Sequence, residues 1–450
     1  MRWFIVVLVA ACAPTRSELR APVDRDLARR MGAPAELGAT AGVAALLAKP
    51  LDREAAIKIA LANNARLRAS LEELGVAGGE LASALGLGPL HIDASIRFGK
   101  DGAYEFEVDT VQGLMGLITA PRRRAAARAD LAAARANATA TALRLVARVE
   151  IAFADLLTAQ QELELRRTAF DAADAAAIVR ERMRAAGNTS ELAQARDRDA
   201  REQARVDLAR AEADVEIQRE QLNALLGLSG ELTKWTAAGT LAELPASPPA
   251  LDDLEQVAVA ASLELIAGRE RVLGADNTAG AERVRAVLPD FGVGVAVVNH
   301  GAGVEVGPTV RLGIPLFDQR SGERARANAL LAKAEYELQA IAVELRADAR
   351  ATRVAALAAY QEARHVREVV LPLRQQIVDQ TLLHYNAMDA NPFELIVARR
   401  QLAAAGHQYL DALRRYWNAM TRVTALQRGV ALDAPIAAPM RAPSAAADSH

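Results

Sequence analysis

The feature that most constrains this chain is a stretch from Arg122 to Ala186 with no glycine or proline, built largely from alanine, leucine, glutamate and arginine. These residues lose little on entering a helix. As one helix the 65 residues would span roughly 100 Å. A helix that long persists only where neighbours flank it along its length, as in coiled coils and helical barrels. Leu145, Val149, Phe153, Leu156 and Leu157 supply an apolar side, with Arg148, Glu150 and Asp155 elsewhere. A second stretch of similar composition runs from Gly322 to Ala387, with Pro372 inside it.

The two stretches belong to an internal twofold repeat. Leu51-Asp52 recurs as Leu251-Asp252, 200 positions on. Leu61–Leu67 matches Val259–Leu265, and Ala127–Asp130 matches Ala325–Asn328, both 198 positions on. Gln161-Glu162 recurs as Gln361-Glu362, and Glu191-Leu192 as Glu394-Leu395. Each copy reads in one order: a helix of about 25–35 residues (Arg53 to Ala84; Leu254 to Val287), two alternating segments, the long helix, and a return helix (Glu191 to Leu226; Glu394 to Gln427). The organisation expected is a signal peptide at 1–11, a tether and equatorial segment at 12–50, repeat 1 at 51–228 with a β-hairpin at 90–118, a linker at 229–250, repeat 2 at 251–428 with a β-hairpin at 290–314, and a disordered tail at 429–450. Gly230, Gly239, Pro245, Pro248 and Pro249 mark the linker, and the Ala/Pro/Ser composition marks the tail.

The alternating segments choose between a soluble bundle and a membrane protein. Ile92, Ala94, Ile96 and Phe98 alternate with His91, Asp93, Ser95 and Arg97; a turn at Gly99-Lys100-Asp101-Gly102 leads to Tyr104, Phe106 and Val108 against Glu105, Glu107 and Asp109. In the second copy Phe291, Val293, Val295 and Val297 alternate with Gly292, Gly294, Ala296 and Val298, and Val304, Val306, Val310 and Leu312 with Glu305, Gly307, Thr309 and Arg311. Period-2 alternation fits a transmembrane barrel with a wet lumen, or any half-buried antiparallel sheet. Four strands cannot close a barrel, and open edges are intolerable in hydrocarbon. Three chains supply twelve, so spanning a membrane implies a homotrimer. The fold class expected is α with a small transmembrane β part: a long antiparallel helical barrel plus four strands per chain in a twelve-stranded trimeric β-barrel. The competing reading is a periplasmic helical scaffold without a barrel, tethered by lipid.

Cys12, the only cysteine, follows Val9-Ala10-Ala11 and an apolar run from Trp3. This resembles a bacterial lipoprotein signal, with the thiol as the lipidation site and a short hydrophobic region before it. No other stretch approaches the ~18 apolar residues of a membrane helix. A net charge of −2 carries no footprint for nucleic acid. The six histidines show no close pair suited to a metal helix, Gly75–Gly79 lacks the lysine of a phosphate loop, and no serine sits in a nucleophile elbow. The expectation is therefore no enzyme, no cofactor and no resident metal.

Several stretches together resemble the TolC-like outer-membrane efflux proteins, in their lipoprotein branch, over residues 50 to 430. Ala60–Ala65 resembles the family's opening, with Ala65 where proline is usual; Leu288-Pro289-Asp290 resembles a strand start; Gly307-Pro308 through Gly313–Asp318 resembles the exit of the second hairpin; Leu222–Gly227 resembles the close of the first copy. The resemblance implies a trimeric channel in the outer membrane with a tunnel through the periplasm, a passive conduit for small molecules or metal ions, working with a periplasmic adaptor and an inner-membrane pump. It implies that the tips Gly187-Asn188-Thr189-Ser190 and Asp389-Ala390-Asn391-Pro392 face the adaptor, and that Glu394 belongs to an acidic gate ring. Val397 stands where a second acid is usual, and Met388 replaces the tip glycine. Pro372 should interrupt the long helix; a Leu-Pro there leans towards the heavy-metal branch. Acidic residues on the helices are expected on solvated faces or in pairs with arginine, as for Glu181 beside Arg180 and Arg184.

Overall fold

The computed structural model describes residues 15–33, 37, 42–85, 90–98, 104–288, 290–299, 303–313, 320–390 and 392–432. The expected signal peptide, Cys12, the expected turn Gly99–Gly102, Pro289, residues 314–318, Asn391 and most of the tail lie outside the described residues. The chain divides into two units, one of residues up to Leu27 with Ala69–Ala140 and Leu263–Glu344, the other of Ala28–Arg68, Thr141–Ser262 and the residues from Leu345.

The first unit holds the sheet. β1 (Leu90–Phe98), β2 (Tyr104–Gly113), β3 (Asp290–Asn299) and β4 (Val304–Gly313) form one antiparallel sheet in the order β1-β2-β3-β4. The two repeats meet at β2 and β3, in register from Phe106↔Asn299 to Gly113↔Gly292. Cross-strand partners share a face, so the register sorts the side chains. Asp93, Asp109, Ala296 and Gly307 form one row, with Arg97, Glu107, Glu305 and Arg311 on the same face. Ile92, Ile96, Val293, Val306, Val310 and Leu312 lie on the other face and are exposed. The alternation expected from the sequence is present in all four strands.

The sheet is curled with its charged face concave. Arg311 on β4 reaches Asp93 on β1 at 3.3 Å, and Thr309 on β4 reaches Asp109 on β2 at 3.4 Å. On a flat sheet the Cα atoms of Asp93 and Arg311 would stand roughly 19 Å apart, beyond the reach of both side chains. Only curvature towards that face closes the gap. Gly294 permits it: a Cβ there would sit 1.9 Å from the Thr110 carbonyl oxygen, so no other residue fits so close a backbone approach.

The second unit holds the ends of the helices and the linker. The sequence predicts one opening helix per repeat, and the structure breaks both. After α1 (Arg16–Met31) and α2 (Val43–Leu47), repeat 1 has α3 (Arg53–Asn63) and α4 (Ala65–Leu85), separated by Asn64; repeat 2 has α7 (Leu254–Ala261) and α8 (Leu263–Val287), separated by Ser262. Asn64 and Ser262 are the same repeat position, with nearly the same non-helical backbone angles (ψ 118 and 120), and both are buried. Asn64 caps the next helix by accepting from the Leu67 amide at 3.0 Å. Asp52 caps α3 by accepting from Ala55 at 2.8 Å.

The long helix α5 (Met115–Ala185) has 71 residues and begins before the predicted Arg122, running through Pro121. Leu145, Val149, Phe153, Leu156 and Leu157 are buried, as the apolar stripe requires. α6 (Glu191–Leu226) matches the predicted return helix residue for residue. Its end is tied down by Asn63, whose Nδ2 donates to the Leu226 and Gly227 carbonyls at 3.3 and 2.6 Å, and by Asn64, which donates to Leu225 at 2.9 Å. In repeat 2 the matching residues are Ala261 and Ser262, and a different group does the work. Arg30, at the end of α1 (Arg16–Met31), donates from Nη1 to the Ala261 and Arg428 carbonyls, both at 2.8 Å. The linker is packed, with Trp235, Leu241 and Leu244 buried, and Leu51 bridges to Ala237.

Arg30→Met keeps the apolar stem but leaves two carbonyls without their charged donor, so the loss should be about 2 kcal/mol. Denaturant unfolding followed by helical circular dichroism measures it. An unchanged midpoint would show that α1 does not hold the second repeat closed.

Candidate functional site

Both helical hairpins turn by the same backbone device. α5 ends with Gly187 in the left-handed region (φ 79), the Asn188 amide donating to the Met183 carbonyl at 2.8 Å and the Gly187 amide to Arg184 at 2.9 Å. That pair of bonds satisfies the last carbonyls of a helix and favours glycine at the left-handed position. Ser190 then caps α6, accepting from the Ala193 amide at 3.2 Å. At the second tip the Asp389 amide donates to His384 at 2.9 Å and the Met388 amide to Tyr385 at 3.0 Å. Here the left-handed residue is Met388 (φ 62), and its side chain is almost wholly exposed. A Cβ in that conformation is strained.

Charged side chains brace each tip. Arg180 crosses the turn to Asp197 on α6 at 2.6 Å and to Thr189 Oγ1 at 3.2 Å, partners beyond the helix neighbours that the sequence suggests. Asp197 and Arg180 are both mostly shielded from water, where a charged pair is worth more than on an open helix face. At the second tip His384 Nδ1 lies 2.9 Å from Asp389 Oδ2. This pair was not anticipated, since its members lie five apart around a turn rather than along a helix.

Glu394 sits in the first turn of α11 (Pro392–Gln427) and is exposed. It lines a cavity of about 460 Å³ together with Gln376, Gln380, His384, Asp389 and Ala390. Val397, three residues on, is exposed and uncharged. Among the described residues no group of three His, Cys, Asp or Glu side chains is placed to hold a metal ion, and no helix is long and apolar enough to cross a membrane.

The long helix of repeat 2 is interrupted where Pro372 requires. α9 (Ser321–His365) passes through a π-helical turn, Val366–Val370, into α10 (Leu371–Asn386). The Leu371 amide donates to Val366, five residues back. Widening the turn moves the Glu368 carbonyl away from the proline ring, which would otherwise strike it. Across the helices, Glu162 on α5 meets His407 on α11 at 2.5 Å and Arg166 at 2.9 Å. Burial pushes the Glu162 carboxyl up, but its bonds to His407 and Arg166 outweigh burial and hold it below the usual range.

No family model matches the chain. In sequence it is similar to the cobalt-zinc-cadmium resistance protein CzcC of Cupriavidus metallidurans, 26% identical over 391 residues, covering 84% of this chain and 90% of that protein. In fold it is similar to the outer membrane protein VceC from Vibrio cholerae, with a TM-score of 0.69 and 15% identity over 84% of this chain and 96% of that one. It is also similar to the Campylobacter jejuni CmeC outer membrane channel, with a TM-score of 0.72 and 14% identity over 84% of this chain and 85% of that one. The chain has the fold of the TolC-like outer-membrane efflux proteins.

Met388→Gly should relieve the left-handed strain and raise stability by about 0.5–1 kcal/mol after the entropy glycine adds to the unfolded chain. Denaturant unfolding by circular dichroism checks it. A fall in stability would mean that the Met388 side chain makes contacts worth more than the strain.

Proposed function

We propose that this chain is the outer-membrane channel subunit of a tripartite efflux system, with three copies closing a twelve-stranded barrel and a helical tunnel in the periplasm. The observation that carries this reading is the curled sheet: charged on its concave face, apolar and uncovered on its convex face, with β1 and β4 left as open edges. A tethered scaffold without a barrel would leave that apolar face and those edges in water. Three of the strands have ten residues, which at a tilt of ~40° rise about 25 Å, the height of a barrel's apolar band. The partners are then a periplasmic adaptor and an inner-membrane pump at the helical tips, Gly187–Ser190 and Asp389–Pro392.

The cargo we favour is divalent metal cations. The concave face bears Asp93, Glu105, Glu107, Asp109, Asp290 and Glu305 against Arg97 and Arg311, and in a narrow pore such an excess concentrates cations. The similarity to a cobalt-zinc-cadmium resistance protein points the same way. Glu394, in the first turn of α11, repeats that sign as a threefold ring.

Bilayer recording tests the channel directly. The purified chain should conduct as a trimer with a preference for cations, and Glu394→Gln should weaken that preference, or the block by added zinc, without altering folding. Failure of the parent to conduct overturns the channel reading; an unchanged variant removes Glu394 from the gate.

Cys12 is proposed as the lipid anchor of the mature chain. Cys12→Ser should abolish labelling by a fatty-acid probe while wild type is labelled. Persistent labelling of the variant would place the lipid elsewhere.

A further inference from the structure

The opening helices of the two repeats use their glycines differently. In α8 the glycines mark close approach by neighbours: a Cβ on Gly268 would stand 2.9 Å from Leu338 Cδ1 of α9, and one on Gly274 2.9 Å from Asp130 Oδ1 of α5. Helix α4 holds the same place in repeat 1, yet nothing within 4 Å would meet a Cβ on Gly75 or Gly79. Glycine weakens a helix about fivefold per residue against alanine, and no described group fills the space that these two leave. Val76 beside them is 65% exposed. Glu72, just before them on the same face, is held by Arg16 and Arg20 of α1 at 3.3 and 2.9 Å. The open part of the face therefore runs from Gly75 to Ser83.

The long helices differ in the complementary way. In α5, Ala127, Leu131, Ala133, Ala136 and Ala138 are all buried. In α9, from Ser321 to Glu344, Ala327 alone is buried. That part of α9 carries an uncovered apolar stripe at helical spacing, Ala325, Ala329, Tyr336, Ala340 and Val343, on the side away from the Leu338 that packs at Gly268. Ala325 and Ala329 stand where repeat 1 has the buried Ala127 and Leu131. A stripe of core residues without cover is that of a helix lacking its second neighbour.

The two incomplete surfaces adjoin the two edges of the sheet. α4 ends five residues before β1, and α9 begins eight residues after β4. Where β4 of one copy pairs with β1 of the next, α9 and α4 of those copies enter side by side. We propose that α9 of one copy lays its apolar stripe on the Gly75–Ser83 face of α4 in the next, the glycines letting the two backbones approach closely. The repeat supplies the register: Gly274 meets Asp130 within the chain, and at the offset of 198 those positions become Val76 and Asn328, so Val76 faces Asn328 of the neighbouring copy. The proposal rests on the trimer of the channel reading.

Cross-linking of the full-length protein in detergent tests it, in a Cys12→Ser background that removes the one native cysteine. With a short bis-maleimide, the pair Val76→Cys and Asn328→Cys should give covalent dimers and trimers. Val76→Cys with Leu330→Cys should give none, because Leu330 is two residues on, and so on the opposite side of the helix, lining a cavity with Gly274 and Thr278. Gly79→Leu has room within its own chain, so its helical circular dichroism should hold while the trimer weakens about tenfold, the effect of overfilling a packed contact. A parent trimer whose Val76 and Asn328 pair fails to cross-link would leave the face to another protein and overturn this packing while the channel stands. A Gly79→Leu trimer as stable as the parent would overturn it equally. A monomeric parent would overturn the channel reading, and the packing with it.

Discussion

The constraint on which this architecture depends is the backbone of two edge strands. β1 and β4 each have one partner in the chain, and the face that would meet lipid is apolar and exposed. In hydrocarbon every unpaired amide and carbonyl costs several kcal/mol, so such a sheet is stable only when its edges meet other copies. Closure by three chains in turn requires each sheet to curve through about a third of a circle. That demand explains Gly294, where a Cβ would strike the Thr110 carbonyl, and the arginine of β4 meeting the aspartate of β1 across the concave side.

The repeat supplies symmetry, and its departures from symmetry carry the specialisation. Asn64 and Ser262 hold the same helix break in both copies. Yet the asparagines that tie down α6 have no amide counterparts in repeat 2, and Arg30 from outside both copies substitutes. At the tips, Gly187 and Met388 occupy one conformation at different cost. In the long helices, α5 runs unbroken while its equivalent passes through a π-turn. The first hairpin turns on glycine and its long helix has no π-turn; the second turns on methionine and has one.

Much of this was legible in sequence because helix and strand periodicities are local. The apolar stripe on α5, the alternation in four strands, the extent of α6 and the disturbance at Pro372 all follow from residue order. What was not legible depends on partners distant in the chain. Helix neighbours of Arg180 such as Glu181 are visible in sequence; its partner Asp197, across a turn, is not. The break at Asn64 was missed since asparagine within an otherwise apolar helix becomes a cap only when its own amide finds Leu225. Arg30 looked like one arginine among many until the carbonyls of Ala261 and Arg428 converged on it. The curvature of the sheet was hidden too, for alternation gives the faces of a strand but not which face is concave.

A conduit places different demands on its parts from those an enzyme places on a site. An enzyme fixes a few groups to fractions of an ångström; a channel needs one sign of charge along a path and a section that can change its width. Here the sheet puts six carboxylates against two arginines on its concave face, while the long helix of repeat 2 departs from α geometry at one turn, Val366–Val370. That turn lets the helix pass Pro372 while the residues before it stay packed, with Ala359, Tyr360 and Ala363 against Leu241 and Leu244.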